Sequence, residues 1–168
     1  MKNAARPSLD DHRVLIDDSP EHRRDMARLR LARPERCQRR RILLAEADGE
    51  SRRLLRQVLR EDGHRVVAVG DGVSLLGEVA ATLLEGEGMP FDLIISEQRL
   101  PGITGLSVLA GLRQGAWATP FILITAPPDA MVTSDARRLE GTVLLKPFDL
   151  QALRAAVNHS GSGADEIR

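Results

Sequence analysis

The sequence predicts a doubly wound α/β fold built on one five-stranded parallel sheet, and three observations carry that prediction. From Arg41 onward, short apolar runs alternate five times with amphipathic stretches of helical period. The apolar runs are nearly continuous rather than alternating, the pattern of strands covered on both faces. Each interval is long enough for a right-handed helical crossover, which returns the chain to a parallel neighbour.

The elements follow in order. Ile42-Leu43-Leu44-Ala45 reads as a buried strand, and Ser51 to Asp62 reads as a helix. That helix places Leu54, Leu55, Val58 and Leu59 on one face and Arg52, Arg53, Arg56 and Arg60 on the other. Gly63 stands where the helix would be capped. Val66 to Val69 is the second strand, and Gly72 to Glu85 the second helix, carrying Leu75, Leu76, Val79 and Leu83. Gly86 to Pro90 breaks it. Leu93-Ile94-Ile95 is the third strand, and Thr104 to Gln114 the third helix, with Leu106, Leu109 and Leu112 as its apolar face. Phe121 to Ile124 is the fourth strand, and Asp129 to Glu140 a weaker helix. Val143-Leu144-Leu145 is the fifth strand. The last helix runs from Asp149, its N-cap, to Asn158.

Composition narrows the function classes. With 168 residues the chain can bury one full core. Aromatics are 2% of it, with no Tyr, so that core must be aliphatic. No apolar run approaches the roughly 20 residues of a membrane helix, and no export signal opens the sequence. The single Cys37 forms no intrachain disulfide and fits a reducing cytosol, so a cytoplasmic location is expected. His12, His22, His64 and His159 show no metal-ligand spacing and are read as surface residues.

The zero net charge hides a split. Residues 1–41 hold 12 Lys+Arg against 7 Asp+Glu, and the remainder carries the opposite balance. The domain reading is therefore an Arg-rich, flexible N-terminal extension over 1–40, a folded domain over 41–158, and a flexible tail over 159–168. Nine arginines crowd residues 22–41. Such an arm can bind nucleic acid through phosphates. It has no aromatics to stack bases, and Asp25 and Glu35 interrupt it, so a solvated lead-in is preferred. Arg13 to Arg24 also echoes Arg41 to Arg53 and carries the acidic pair Asp17-Asp18. A duplication relic, chance and an alternative first strand all remain open.

In a doubly wound sheet the site lies beyond the carboxyl ends of the strands. There the sequence sets Glu46-Ala47-Asp48 after the first strand, Ser96-Glu97 after the third, Thr125 after the fourth and Lys146-Pro147-Phe148 after the fifth. Two carboxylates, a hydroxyl and an ammonium converge from positions about 100 residues apart.

ILLAEAD (42–48), DLIISEQRLPGITGL (92–106), TPFILITA (119–126) and LLKPFDLQAL (144–153) together resemble the receiver domains of two-component response regulators. The resemblance covers nearly all of Ile42 to Val157 and implies the flavodoxin-like (βα)5 receiver fold. It implies a site in which an acidic pair after the first strand and an Asp after the third bind Mg²⁺. That Asp accepts the phosphoryl group, and a Thr and a Lys contact it.

Carried over by position, Glu46 matches the first acidic residue, while Ala47 stands where a metal-binding Asp is expected. Glu97 occupies the phosphoacceptor position, and Thr125 and Lys146 match. Val143 replaces the usual switch aromatic, and the stretch from Gly141 to Lys146 reads about two residues short. The Lys146-Pro147 bond is often cis in such domains. Asp48 points elsewhere in a regular turn and is not expected to replace the missing carboxylate. Glu46 and Glu97 remain weak metal candidates, so Mg²⁺ affinity should fall and no cofactor is expected. Glu97, longer by a methylene, should stay ionised and pair with Lys146. Pro127-Pro128 should stiffen the loop after the fourth strand.

The resulting expectation is a pseudo-receiver that is not an enzyme. It would act by binding a histidine kinase, a phosphotransfer protein or another regulator. The last two strands and helices would form the surface, with a homodimer through that face possible. No DNA-binding output unit is read after Asn158. A phosphorylatable receiver using Glu97, or Asp17 and Asp18, is the rival.

Overall fold

The structure is a computed structural model, and it describes residues 39–84, 91–126 and 130–160, with side chains through residue 81 in the first span. The elements are β1 (Arg41–Ala45), α1 (Gly49–Glu61), β2 (Arg65–Val69), α2 (Gly72–Leu84), β3 (Leu93–Glu97), α3 (Gly105–Gln114), β4 (Phe121–Thr125), α4 (Ala130–Arg138), β5 (Thr142–Leu145) and α5 (Leu150–His159). All strand pairs are parallel, in the order β2-β1-β3-β4-β5. The flavodoxin-like topology expected from the sequence is therefore present.

Side chains leave a strand alternately to its two faces, and the sheet sorts its apolar residues accordingly. Leu43, Ala45, Ile94, Phe121 and Leu123 point to one side, against Leu75 and Val79 of α2, Leu109 and Leu112 of α3, and Ala136 of α4. Ile42, Leu44, Leu93, Ile95, Ile122 and Ile124 point to the other, against Leu55 and Leu59 of α1 and Leu153 and Val157 of α5. Three helices cover one face and two the other.

The helix boundaries have local causes. Asp48 caps α1 by accepting the Ser51 N–H (2.7 Å), and Asp149 caps α5 through the Ala152 N–H (2.7 Å), as the sequence predicts. Thr104 lies outside α3 as its N-cap rather than inside it. Gly63 has φ +96° just past α1, a conformation that glycine adopts without strain. Gly105 is fixed by packing, because a Cβ there would lie 2.5 Å from the Glu97 carbonyl oxygen. The start of α3 can therefore press directly on the end of β3.

Several expectations need correction. Leu54 is 52% exposed and Leu76 37% exposed. Each sits roughly 100° round its helix from the central inward leucine, so it falls at the edge of the apolar stripe. Leu145 is 44% exposed, because β5 is an edge strand and only partly covered. His64 is not a surface residue: it is 5% exposed and its Nδ1 accepts the Arg40 N–H (3.3 Å). Its neighbourhood ties the lower edge together. The Arg40 guanidinium donates to the Val157 carbonyl (2.6 Å), and Arg154 grips Asp62 with two hydrogen bonds (2.8 and 3.0 Å). Residues 1–38 of the Arg-rich extension, with His12, His22, Cys37 and Asp17-Asp18, the Gly86–Pro90 break, Pro127-Pro128 and the tail beyond residue 160 lie outside the described residues. Among the described residues no helix is long and apolar enough to cross a membrane.

Burial, with the nearby Arg40 charge, holds the His64 imidazole below its ordinary value of 6.5. The unfolded chain therefore binds the proton more readily than the folded one, and stability falls as the pH drops through 6.5 towards the folded value. Urea unfolding at a series of pH values from about 7.5 to 5.5 should show this loss, and His64→Gln should flatten it. An unchanged slope in that variant would mean that His64 is not its source.

Candidate functional site

The order β2-β1-β3-β4-β5 sends the chain away from β1 and β3 in opposite directions, opening a crevice beyond their carboxyl ends. Three predicted side chains meet there. Glu46 follows β1 directly, with its backbone N–H on the Val69 carbonyl (3.2 Å). Glu97 ends β3, and Lys146 follows β5, where the Lys146 N–H reaches the Thr125 carbonyl (2.8 Å).

Lys146 bridges the two acids. Its Nζ donates to Glu46 Oε2 (2.8 Å) and to Glu97 Oε1 (2.9 Å). The remaining oxygens are also used. Ala47 N–H donates to Glu97 Oε2 (3.2 Å), and Asp48 N–H donates to Glu46 Oε1 (3.1 Å). Both carboxylates thus carry one ammonium bond and one peptide bond each. The Glu46 side chain is 1% exposed, Glu97 18% and Lys146 28%.

The electrostatics follow from this crowding. Burial pushes the Glu46 carboxyl above its usual range, and neighbouring Glu97 adds to the rise, while Lys146 and the Asp48 N–H pull it back. Burial would raise Glu97 as well. Its neighbour Glu46, which takes the proton in preference, and its hydrogen bonds from Lys146 and the Ala47 N–H outweigh that and hold it below the usual range. Burial works against the Lys146 charge, but the two carboxylates outweigh it and hold the ammonium above its ordinary value. The two acids titrate as a pair, and buried Glu46 takes up a proton before Glu97 does.

The other predicted positions take different parts. Ala47 offers its backbone N–H rather than a side chain. The Asp48 carboxylate is committed to capping α1 through the Ser51 N–H. Thr125 is buried at the end of β4 and anchors Lys146 through its carbonyl. Val143 lies in register with Leu123 and packs, half-buried, on the α2–α4 side of the sheet. The Lys146–Pro147 bond is cis. Buried Ser96 donates to the Glu97 carbonyl (3.0 Å), and Gln98 Oε1 accepts the Leu106 N–H (3.0 Å), so the loop from β3 into α3 is held at both ends.

Sequence reasoning missed one residue. Arg52 was assigned to the solvent face of α1, yet its Nη1 donates to the carbonyls of Glu46 (2.6 Å) and Ala47 (3.0 Å). Helical side chains lean towards the N-terminus, so a long residue in the first turn reaches back over the preceding loop. Its position six residues after Glu46 was the available signal. An open groove of about 450 Å³ also adjoins the site, walled by Leu54, Leu55, Pro147, Phe148 and Leu150, with Glu46 and Lys146 at its polar end. Exposed Leu54 belongs to this groove.

Lys146→Met should leave Glu46 buried beside Glu97 with no ammonium. Breaking a buried pair costs about 3–5 kcal/mol, and the partial exposure of Lys146 reduces this to about 2 kcal/mol at neutral pH. Glu46 already holds its proton above the usual range, and without Lys146 it should hold it higher still. The stability deficit should therefore shrink as the pH is lowered, because the folded variant then binds a proton the unfolded chain releases. Denaturant unfolding at neutral and acid pH measures it, and a deficit independent of pH would contradict this view of the triad.

The sequence profile of the response regulator receiver domain matches residues 42–158. Among curated proteins, the chain is 35% identical over 118 residues to the transcriptional regulatory protein TcrA of Mycobacterium tuberculosis, covering 68% of this chain and 43% of TcrA. It is 33% identical over 132 residues to the sensor histidine kinase AruS of Pseudomonas aeruginosa, covering 75% of this chain and 12% of AruS. It is 30% identical over 122 residues to the two-component response regulator-like protein APRR5 of Arabidopsis thaliana, covering 71% of this chain and 21% of APRR5. The chain thus spans less than half the length of each of these relatives. Among solved structures, a receiver domain protein from Clostridium thermocellum superposes with a TM-score of 0.61 at 20% identity, covering 72% of this chain and 93% of that one. The chemotaxis protein CheY4 of Vibrio cholerae gives 0.58 at 22%, covering 73% and 98%. At these identities the superpositions speak for the fold. The profile match spans well over half of the chain, which therefore belongs to the family of response regulator receiver domains, the signalling modules of two-component systems.

Proposed function

We propose that this chain is a pseudo-receiver, a module that signals by binding another protein while its phosphorylation site stays in one fixed charge state. The carrying observation is the double engagement of Glu97, with Oε1 on the Lys146 ammonium (2.9 Å) and Oε2 on the Ala47 N–H (3.2 Å). The residue at the phosphoacceptor position already holds the contacts a phosphoryl group would take. It offers one negative charge where a phosphoryl group carries nearly two, so the imitation is partial.

The donor set does not fit Mg²⁺. That ion wants near-octahedral oxygen coordination with one or two carboxylates free to face it. Here both carboxylates face Lys146, Ala47 has no side-chain oxygen, and Asp48 caps a helix. Among the described residues no three of His, Cys, Asp and Glu gather closely enough to hold a metal. The reading therefore contains no cofactor and no catalytic step.

The partners it implies are a histidine kinase, a phosphotransfer protein or another response regulator, met in the cytoplasm. The surface would be formed by β4, β5, α4 and α5, with a homodimer through the same face. Val143 supports a fixed module, because an aliphatic side chain there gives the Thr125 hydroxyl no aromatic lever to pull on β5.

Intact-mass measurement after incubation with Mg²⁺ and a small phosphodonor tests the reading. The native chain should gain no phosphoryl group, while Glu97→Asp combined with Ala47→Asp should gain one. A phosphorylated native chain would favour the rival reading, and fragment masses would then place the group on Glu97 or on the Asp17-Asp18 pair.

A further inference from the structure

With both acids ionised, the triad of Glu46, Glu97 and Lys146 carries a net charge of −1, and its counter-charge is not among the three. Two consecutive peptide units lie between that triad and Arg52. In the first, the Glu46 carbonyl accepts from Arg52 Nη1 (2.6 Å) while the Ala47 N–H donates to Glu97 (3.2 Å). In the second, the Ala47 carbonyl accepts from the same Nη1 (3.0 Å) while the Asp48 N–H donates to Glu46 (3.1 Å). Each peptide group thus has a cation at its oxygen and a carboxylate at its hydrogen. Hydrogen bonds chained this way polarise and strengthen one another.

The guanidinium has its own seat. A Cβ on Gly70, just past β2, would lie 3.1 Å from Arg52 Nη1 and 3.4 Å from Cζ. Gly70 shows no positive φ, so a side chain added there would press on the guanidinium rather than strain the backbone.

We propose that Arg52 is a positioning residue of the site, acting through the two peptide units to aim the Ala47 and Asp48 N–H groups at Glu97 and Glu46, and that Gly70 keeps its seat open. The inference rests on the reading of Glu97 as a standing carboxylate. It adds the structural reason that this carboxylate stays in place without a metal. Arg52 supplies the fourth charge, and it does so from outside the crevice, where it leaves Lys146 free to bridge both acids.

Backbone amide spectra and hydrogen exchange of the full chain test it, comparing Arg52→Ala, Arg52→Lys and Gly70→Ala with the native protein. Arg60→Ala is the control, because Arg60 lies on the same helix and donates to the Val66 carbonyl (3.2 Å), away from the site. In Arg52→Ala the Ala47 and Asp48 amide protons should move upfield and exchange about tenfold faster, the size expected when a charge-assisted bond is loosened. Gly70→Ala should do the same to a lesser degree without touching Arg52, and Arg52→Lys should partly restore the native signals. Arg60→Ala should leave both amides unmoved. Native-like Ala47 and Asp48 amides in Arg52→Ala, or equal changes in Arg60→Ala, would overturn the proposal. Glu97→Gln separates it from the reading beneath it. That variant should move Ala47 and spare Asp48. If it moves neither, Glu97 is not the partner of the Ala47 N–H, while the response of Asp48 to Arg52→Ala still decides the role of Arg52.

Discussion

One ammonium shared between two carboxylates organises this molecule's upper edge. Glu46 is almost wholly buried, and a buried ionised carboxylate is tolerated only when it is paired and hydrogen-bonded. Lys146 supplies the pair from the far end of the sequence, 100 positions away. For it to do so, the end of β5 must stand on the same edge as the end of β1, with β3 and β4 between them, and this is the order the sheet has. Glu97 then comes to the same ammonium from β3, and Thr125 fixes the Lys146 backbone from β4. Three strand ends are thereby tied together by side chains and a fourth by its carbonyl.

The lower edge is tied independently. Arg40 bridges the entry of β1 to the last turn of α5, His64 accepts the Arg40 N–H, and Asp62 at the end of α1 holds Arg154 of α5. Both helices on this face, α1 and α5, are thus pinned to each other below while they flank the groove above. The apolar layers between the two edges hold the sheet rigid. Small shifts at the site would therefore be felt as changes in loops and surface, and the interior would stay as it is.

The sheet was legible in the sequence because its central strands β1, β3 and β4 are buried on both faces and so read as unbroken apolar runs. The site was legible for a related reason: parallel strands put their next residues at one edge, so Glu46, Glu97, Thr125 and Lys146 could be gathered by counting. Other features were not legible, and the causes differ. Leu54 and Leu76 carry the apolar signal of inward residues, but their angular position on the helix puts them at the rim. His64 carries no sign of burial, since its burial depends on Arg40 crossing to α5. Arg52 looked like one more solvated arginine, because what it touches is backbone, and backbone carbonyls leave no mark in a residue pattern. Asp48 takes a part that the sequence does show, since its carboxylate caps α1.

The central claim is that Lys146 and two peptide N–H groups, rather than a metal ion, satisfy the carboxylates of this receiver. Titration of the full chain with Mg²⁺ through the millimolar range, followed on the backbone amides of residues 46–48 and 97, tests it most directly. The account predicts no saturable change at those positions, with Glu97→Asp combined with Ala47→Asp giving one. Saturable shifts in the native chain, centred on Ala47 and Glu97, would show the carboxylates leaving Lys146 for a metal and would contradict it.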